Sequence, residues 1–211
     1  LHLLSRRQRQ MCIRDSKVSL LKDKQTGPKD FKSIVKEISM LMCYELTREL
    51  PLREAAIESP MGIVRTQIIA GRAIAFVPIL RGGLGMLDGL LELMPNAKVG
   101  HIGAYRDPET KNAVVYYEKL PDDVEEREVI ICDPMLATGG LACETIAHVK
   151  KTGCNSIKFL TLIASRQGVE RVNAAHPDVT VYCAGMVDGL DENGFIAGGF
   201  GDIGARLFGT K

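Results

Sequence analysis

Apolar residues recur at helical spacing early in the chain: Phe31, Ile34, Val35, Ile38, Leu41, Met42 and Leu46. That period predicts an amphipathic helix over residues 30–49, laid on a core. Pro28 and Asp30 stand where such a helix starts, and Pro51 follows its end. The pattern then changes. Residues 73–80 (AIAFVPIL), 129–132 and 156–164 (SIKFLTLIA) are nearly continuous apolar runs. Such runs predict strands buried on both faces. A helix is predicted over 167–175 and a further strand over 179–183. Residues 99–106 and 113–120 are rich in β-formers, and the turn-like run 107–112 separates them, so they read as a hairpin. The alternation of strand and helix predicts an α/β fold with a central, mainly parallel sheet flanked by helices. No linker, repeat or low-complexity stretch divides it.

Composition narrows the function classes. The chain has 211 residues, 45% hydrophobic and 25% charged, with a formal net charge of +1. That length suits one full core. The balance offers no strong field for nucleic acid or an anionic membrane, and no apolar run is long enough to span a bilayer. Six cysteines (12, 43, 132, 143, 154 and 183) are scattered without a C-x-x-C pair. Cys132, Cys154 and Cys183 read as small core residues in a reducing cytoplasm. The four histidines are isolated, which argues against zinc. Leu1 to Ser16 carry Arg6, Arg7, Arg9 and Arg14 against the single acid Asp15. The segment lacks the apolar core of a signal peptide. Met11-Cys12-Ile13-Arg14-Asp15 matches the translation of a transposon-end sequence used in DNA library preparation. Residues 1–16 are therefore expected to be non-native, and 17–211 a single domain.

The candidate chemistry starts at Val129-Ile130-Ile131-Cys132-Asp133-Pro134-Met135-Leu136-Ala137-Thr138-Gly139-Gly140-Leu141. A strand delivers a carboxylate and a Gly-rich loop to a helix start. Free N–H groups and the helix dipole there favour a phosphate. Thr138 adds a hydroxyl, while the anion Asp133 must serve sugar hydroxyls or a metal ion. A phosphorylated sugar fits both. Residues 73–80 repeat the logic, running into Arg81-Gly82-Gly83-Leu84-Gly85-Met86-Leu87-Asp88-Gly89. The glycine spacing misses the dinucleotide fingerprint, but Arg81 is a permanent cation whose planar fork suits phosphate oxygens. Gly194-Phe195-Ile196-Ala197-Gly198-Gly199-Phe200-Gly201-Asp202-Ile203-Gly204 is too Gly-rich for a helix or strand interior. Phe195, Ile196, Phe200 and Ile203 are expected to anchor it as an ordered loop around a small planar ligand.

These segments resemble the uracil phosphoribosyltransferases, in the expected order, over most of residues 17–211. Asp133 to Leu141 resembles the loop for 5-phosphoribosyl diphosphate (PRPP), with one acid and Pro134 where most phosphoribosyltransferases have two acids. Arg81-Gly82-Gly83 resembles the pyrophosphate loop, usually Leu-Arg-Ala-Gly. Tyr105-Arg106 resembles the family's position for a second cation on the pyrophosphate, on a hairpin that in the family is mobile and covers PRPP. The C-terminal loop resembles Gly-Tyr-Ile…Pro-Gly-Leu-Gly-Asp-Ala-Gly, and the chain ends, as the family does, in Phe208-Gly209-Thr210-Lys211. Phe195, Gly198, Phe200 and Ile203 depart from that loop, and Leu141 stands where Ser or Thr is usual. The resemblance implies transfer of phosphoribose from PRPP to uracil, giving UMP and diphosphate. It assigns Arg81, Arg106, Asp133 and Asp202 to catalysis. PRPP falls to those residues with Pro134, Met135, Leu136, Ala137, Thr138, Gly139, Gly140 and Leu141, and uracil to Ile196, Gly201, Asp202 and Ile203. Mg²⁺ would be held mainly through PRPP, with no residue assigned as its ligand. The family usually forms homodimers or larger assemblies, and GTP activates some members. Three other readings stay open on the sequence: an RNA-binding regulator on this fold, a PRPP-binding protein whose base pocket has lapsed, and a transferase for another base.

Overall fold

The computed structural model describes residues 13–70, 74–107, 110 and 113–210. Most of the expected non-native segment (residues 1–12), part of the 107–112 turn, and Lys211 lie outside the described residues. Residues 13–22 are helical and put Val18 and Leu21 into the core. Helix α1 (Pro28–Leu46) buries Phe31, Val35, Ile38, Met42 and Leu46. It starts at Pro28 because proline's missing N–H costs nothing in the first turn. It stops before the predicted end, where the Thr47 hydroxyl donates to the Cys43 carbonyl at 2.8 Å.

Strands β1 (Leu52–Ser59) and β2 (Gly62–Ile69) pair antiparallel as a separate two-stranded sheet. The sequence pattern gave no sign of it, because most positions on both strands are exposed and no apolar alternation results. The main sheet contains β3 (Ile74–Leu80), β4 (Lys98–Val99), β5 (His101–Arg106), β6 (Ala113–Lys119), β7 (Glu128–Cys132), β8 (Met135–Leu136), β9 (Ile157–Ser165) and β10 (Thr180–Val187). Its order is β10-β9-β7-β3-β5-β6, with β4 beside β3 and β8 beside β9. All pairings are parallel except β5–β6, the predicted hairpin.

Alternation along the buried strands sorts the core by face. Ile74, Phe76, Ile130, Cys132, Leu160 and Leu162 join α1 and helix α2 (Leu84–Leu93) on one side. Ala75, Val77, Ile79, Val129, Ile131 and Phe159 join helices α3 (Gly140–Lys150) and α4 (Arg166–Ala175) on the other. Cys132 and Cys154 are buried as expected, and Cys43 is buried too, whereas Cys183 is only half-buried. It lies on β10, the edge of the sheet, where one flank has no neighbouring strand.

Helices α1 and α2 meet backbone to backbone. A Cβ on Gly89 would stand 2.2 Å from the Lys36 carbonyl oxygen and 3.1 Å from the Met40 nitrogen. Neither atom can move without bending α1. Gly89→Ala is therefore expected to cost about 1–3 kcal/mol, read as a lower urea midpoint at unchanged slope. An unshifted midpoint would show that the two helices are not in contact.

Candidate active site

The register of the central strands places the chemistry. Pro78 pairs with Cys132, and Leu80 pairs with Gly103. Parallel strands β7 and β3 thus end side by side and carry Asp133 and Arg81 to one rim, while β5 runs on past Gly103 to Arg106. The crevice outside the carboxyl ends of such a sheet is where α/β folds bind ligands. The Leu80–Arg81 peptide bond is cis.

Two turns interlock there. A Cβ on Gly83 would fall 2.4 Å from the Cys132 carbonyl and 2.7 Å from the Ile79 nitrogen, so no side chain fits. A Cβ on Gly82 would stand 3.0 Å from Pro134 Cγ and 3.8 Å from Asp133 Oδ1. The run after Asp133 is not all loop, because Met135 and Leu136 form the short strand β8 on β9. Gly139 then takes φ +76°, a left-handed conformation suited to glycine, and Gly140 opens α3. The expected strand, carboxylate, Gly turn and helix start are all present.

Supports for this turn come from α4, which the sequence reading did not assign to the site. The Ser165 hydroxyl donates to the Ala137 carbonyl at 2.5 Å and accepts from the Gly168 amide at 2.8 Å. A Cβ on Gly168 would lie 2.3 Å from that carbonyl oxygen. An Arg171 nitrogen donates to the Thr138 carbonyl at 3.3 Å, and the guanidinium lies 3.4 Å from where a Gly140 Cβ would be. Ser165 was findable as an N-cap between a buried strand and a predicted helix. Arg171 had no local signal.

The C-terminal segment closes the rim. The Asp191 carboxylate accepts from the amides of Asn193 and Phe195, both at 2.9 Å, and Leu190 bridges to Ile196. Ile196, Phe200 and Ile203 are buried as expected, but Phe195 is 65% exposed and anchors nothing. Ile196 points inward there, so its extended neighbour points out. Asp202 accepts from the Ala205 amide at 2.9 Å and caps helix α5 (Ile203–Phe208), so the glycine-rich run ends in a short helix. A Cβ on Gly194 would meet the Thr138 methyl at 3.1 Å and an Arg106 nitrogen at 3.2 Å. One on Gly204 would lie 3.2 Å from Asp202 Oδ1 and 3.7 Å from an Arg81 nitrogen. Arg81 also reaches the Thr210 hydroxyl at 3.4 Å. Gly201, at φ +72°, has open space where a side chain would be. All four segments singled out in the sequence therefore meet around one cleft.

The charges differ in setting. Arg81 and Arg106 are exposed cations. Asp133 keeps some solvent contact as a residue, yet its carboxyl lies deep among protein atoms. Burial pushes it up to about 7, against a hydrogen bond from the Met135 backbone that favours the ion. Among the described residues, no group of three or more His, Cys, Asp or Glu is placed to hold a metal ion by itself.

A parallel sheet with a carboxylate, a Gly turn and a helix start at its rim is the arrangement that the sequence reading expected of a phosphoribosyltransferase. A solved Bacillus anthracis hypoxanthine-guanine phosphoribosyltransferase has the same fold, with a TM-score of 0.50 and 12% identity over 74% of this chain and 79% of its own. A solved Aquifex aeolicus protein aligns more fully, with a TM-score of 0.89 and 33% identity over 93% of this chain and 94% of its own. The family model described as uracil phosphoribosyltransferase matches residues 9–210. Curated uracil phosphoribosyltransferases from Thermoanaerobacter sp. (strain X514) and Halalkalibacterium halodurans are 53% and 55% identical over 195 residues, 92% of this chain and 93% of each relative. The chain belongs to the uracil phosphoribosyltransferase family.

Asp133 carries a pH consequence. Between the unfolded carboxyl range near ~4 and about 7, the folded protein holds a proton that the unfolded chain has released. Stability contributed at Asp133 therefore falls as pH rises through that window and is level above it. Asp133→Asn cannot ionise and escapes this loss. Its unfolding free energy relative to the parent should rise between pH 4 and pH 7 by up to about 4 kcal/mol. Parallel urea midpoints for the two proteins across that range would show that the folded carboxyl ionises normally.

Proposed function

We propose that the chain catalyses transfer of the 5-phosphoribosyl group from PRPP to uracil, giving UMP and diphosphate, as a step of pyrimidine salvage. The observation that carries this reading is the convergence of Arg81, Arg106, Asp133 and the 194–204 loop on one rim. Family membership supports it.

Loss of diphosphate leaves an oxocarbenium-like centre at C1 of ribose, so the leaving group needs charge neutralisation. Arg81 and Arg106 supply it as fixed cations on either side of the departing group. The Ala137 to Leu141 turn holds the 5-phosphate through backbone N–H groups at the start of α3. Asp133, ionised once cationic groups and ribose hydroxyls face it, holds those hydroxyls. Pro134, Met135 and Leu136 shape the approach to the turn. Ile196, Gly201, Asp202 and Ile203 present backbone groups to the uracil edge, which needs no charged side chain. Holding uracil against C1 supplies much of the remaining acceleration.

The donor set fits Mg²⁺, which takes oxygen ligands and is bound through one or two carboxylates plus substrate phosphates. Asp133 and Asp202 are the carboxylates beside the 81–83 turn. When bound, Mg²⁺ would supply Lewis-acid stabilisation of the diphosphate. The free cysteines suit a reducing, cytoplasmic compartment.

The first test is UMP formation from labelled uracil and PRPP with Mg²⁺. Arg81→Ala should lower kcat/KM by roughly a hundredfold while leaving the fold intact. Absence of UMP from the parent protein, with PRPP still bound, would turn the reading toward a regulator or a lapsed base pocket.

Assembly follows from the β1–β2 hairpin. Leu52, Ile57, Met61, Ile63, Val64 and Ile69 are exposed on it. A lone two-stranded hairpin is marginal in water, and the register puts Leu52, Ile63 and Ile69 on one face with Ile57 and Val64 on the other, so apolar residues on both faces mark a protein contact. A second copy of the chain is the proposed cover. Light scattering should give a dimer or larger species for the parent and a monomer for Ile57→Glu/Ile63→Glu. A monomeric parent would remove the proposal.

A further inference from the structure

We infer that Arg206 is the positioning residue of the base loop, tying residues 200–203 to the N-terminal segment 21–26. The inference deepens the transferase reading and rests on it. Arg206 lies on α5, directly behind the residues assigned to uracil. An arginine on a six-residue surface helix is ordinarily solvated. This one donates to four backbone carbonyls: Leu21, Phe200 at 3.1 Å, Asp23 at 2.6 Å and Thr26 at 3.4 Å. Its guanidinium carbon stands 4.2 Å from the centre of the Phe31 ring.

The chemistry of this arrangement needs arginine. The Leu21 carbonyl ends the helical stretch 13–22, where unpaired carbonyls and the negative end of the helix dipole favour a cation. A planar fork reaches several separated carbonyls from different nitrogens while lying flat on an aromatic face; an ammonium carries its donors on one atom and has no plane to stack. Three of the four carbonyls belong to residues 21–26, and the fourth belongs to Phe200, whose own side chain is buried. The Arg206 backbone N–H donates to the Asp202 carbonyl at 3.0 Å, so the 200–206 turn is closed from both sides.

The next residue makes the second attachment. A Cβ on Gly85 would lie 2.5 Å from a Leu207 methyl, so α5 rests on the first turn of α2, just after Arg81 to Gly83. Consecutive residues 206 and 207 thus fix the base loop against the N-terminal segment and against the helix of the pyrophosphate turn. Gly201 and Asp202 are exposed, so their position is set by the Asp202 cap on Ala205, by buried Phe200 and Ile203, and by these two attachments. The side-chain partners of Arg206 are Leu21, Asp23, Thr26, Phe200 and Phe31, none of them in the PRPP turn at Ala137 to Leu141. Loosening it therefore moves uracil affinity and spares PRPP affinity.

The test is steady-state kinetics on the full chain, with PRPP dissociation constants measured separately by calorimetry. Arg206→Met should raise KM for uracil about tenfold and change the PRPP dissociation constant less than about twofold. Arg206→Lys should keep the charge and still show most of the uracil defect. Phe31→Leu, which leaves the arginine but removes the face beneath it, should raise the uracil KM about threefold and serves if Arg206→Met does not fold. Equal loss of uracil and PRPP affinity, full rescue by lysine, or an unchanged uracil KM in Phe31→Leu would each overturn the inference. A parent protein that forms no UMP defeats the transferase reading itself. A parent that forms UMP, with variants that match it, defeats only the inference.

Discussion

The contact between the 81–83 turn and the end of β7 is the constraint on which the cleft depends. Gly83 has no room for a single carbon between the Cys132 carbonyl and the backbone of Ile79. That closeness holds the turn after β3 against the turn after β7. The strands are locked by ladder pairing and by side chains buried on both faces, so their ends cannot drift apart. Arg81 and Asp133 inherit this rigidity. Side chains that act on one small substrate need positions fixed to a fraction of an ångström, and adjacent buried strands supply that more surely than long loops.

Charge follows from the same geometry. A strand end lies deep, so the residue that leaves it first, Asp133, is enclosed, and burial holds its carboxyl well above the usual carboxylate range. Arg81 leaves its strand through a turn, and Arg106 lies at the end of the β5–β6 hairpin, so both reach solvent. Exposure keeps the cations hydrated and available to an incoming polyanion. Burial keeps the carboxylate from repelling it. Reversing the two settings would place an anion at the mouth of a phosphate site and a desolvated guanidinium beneath it, both unfavourable.

The central strands and the helices that cover them were legible because burial on both faces writes continuous apolar runs, and burial on one face writes helical periodicity. Phe76, Ile130, Phe159 and most of the Phe31 to Leu46 stripe fell where the pattern put them, the exception being Leu41, which is exposed. The β1–β2 hairpin was not legible. Its residues face solvent on most positions, so neither alternation nor a run marks it. The residues meeting at the cleft were legible where a strand, a glycine turn and a charge stood together. Gly168, Arg171 and Arg206 were not singled out, because they act through contacts with residues distant in sequence, which no local period encodes; Ser165 showed only its N-cap position. Phe195 misled for a related reason: hydrophobicity marks a residue as fit for burial, but the bridge at Ile196 decides which neighbour turns inward.

The departures from the usual family loops sit where the structure asks little of side-chain identity. Ile203 replaces a usual alanine, yet it is 2% exposed and packs into the core beneath the cleft. Only its backbone can then face a base, and the larger side chain fills the interior rather than the pocket. Gly82 replaces another alanine, whose Cβ would press at 3.0 Å on the Pro134 ring. Removing it relieves a tight contact and leaves the backbone path of the turn in place. Leu141 gives up a hydroxyl, but its side chain packs against the second core cluster while its N–H stays at the first turn of α3. In each case the group the chemistry would use belongs to the backbone, and at Ile203 and Leu141 the substituted side chain points into packing. A cleft built in this way tolerates variation in side chains and depends on the strands, turns and arginine contacts that hold its backbone in register.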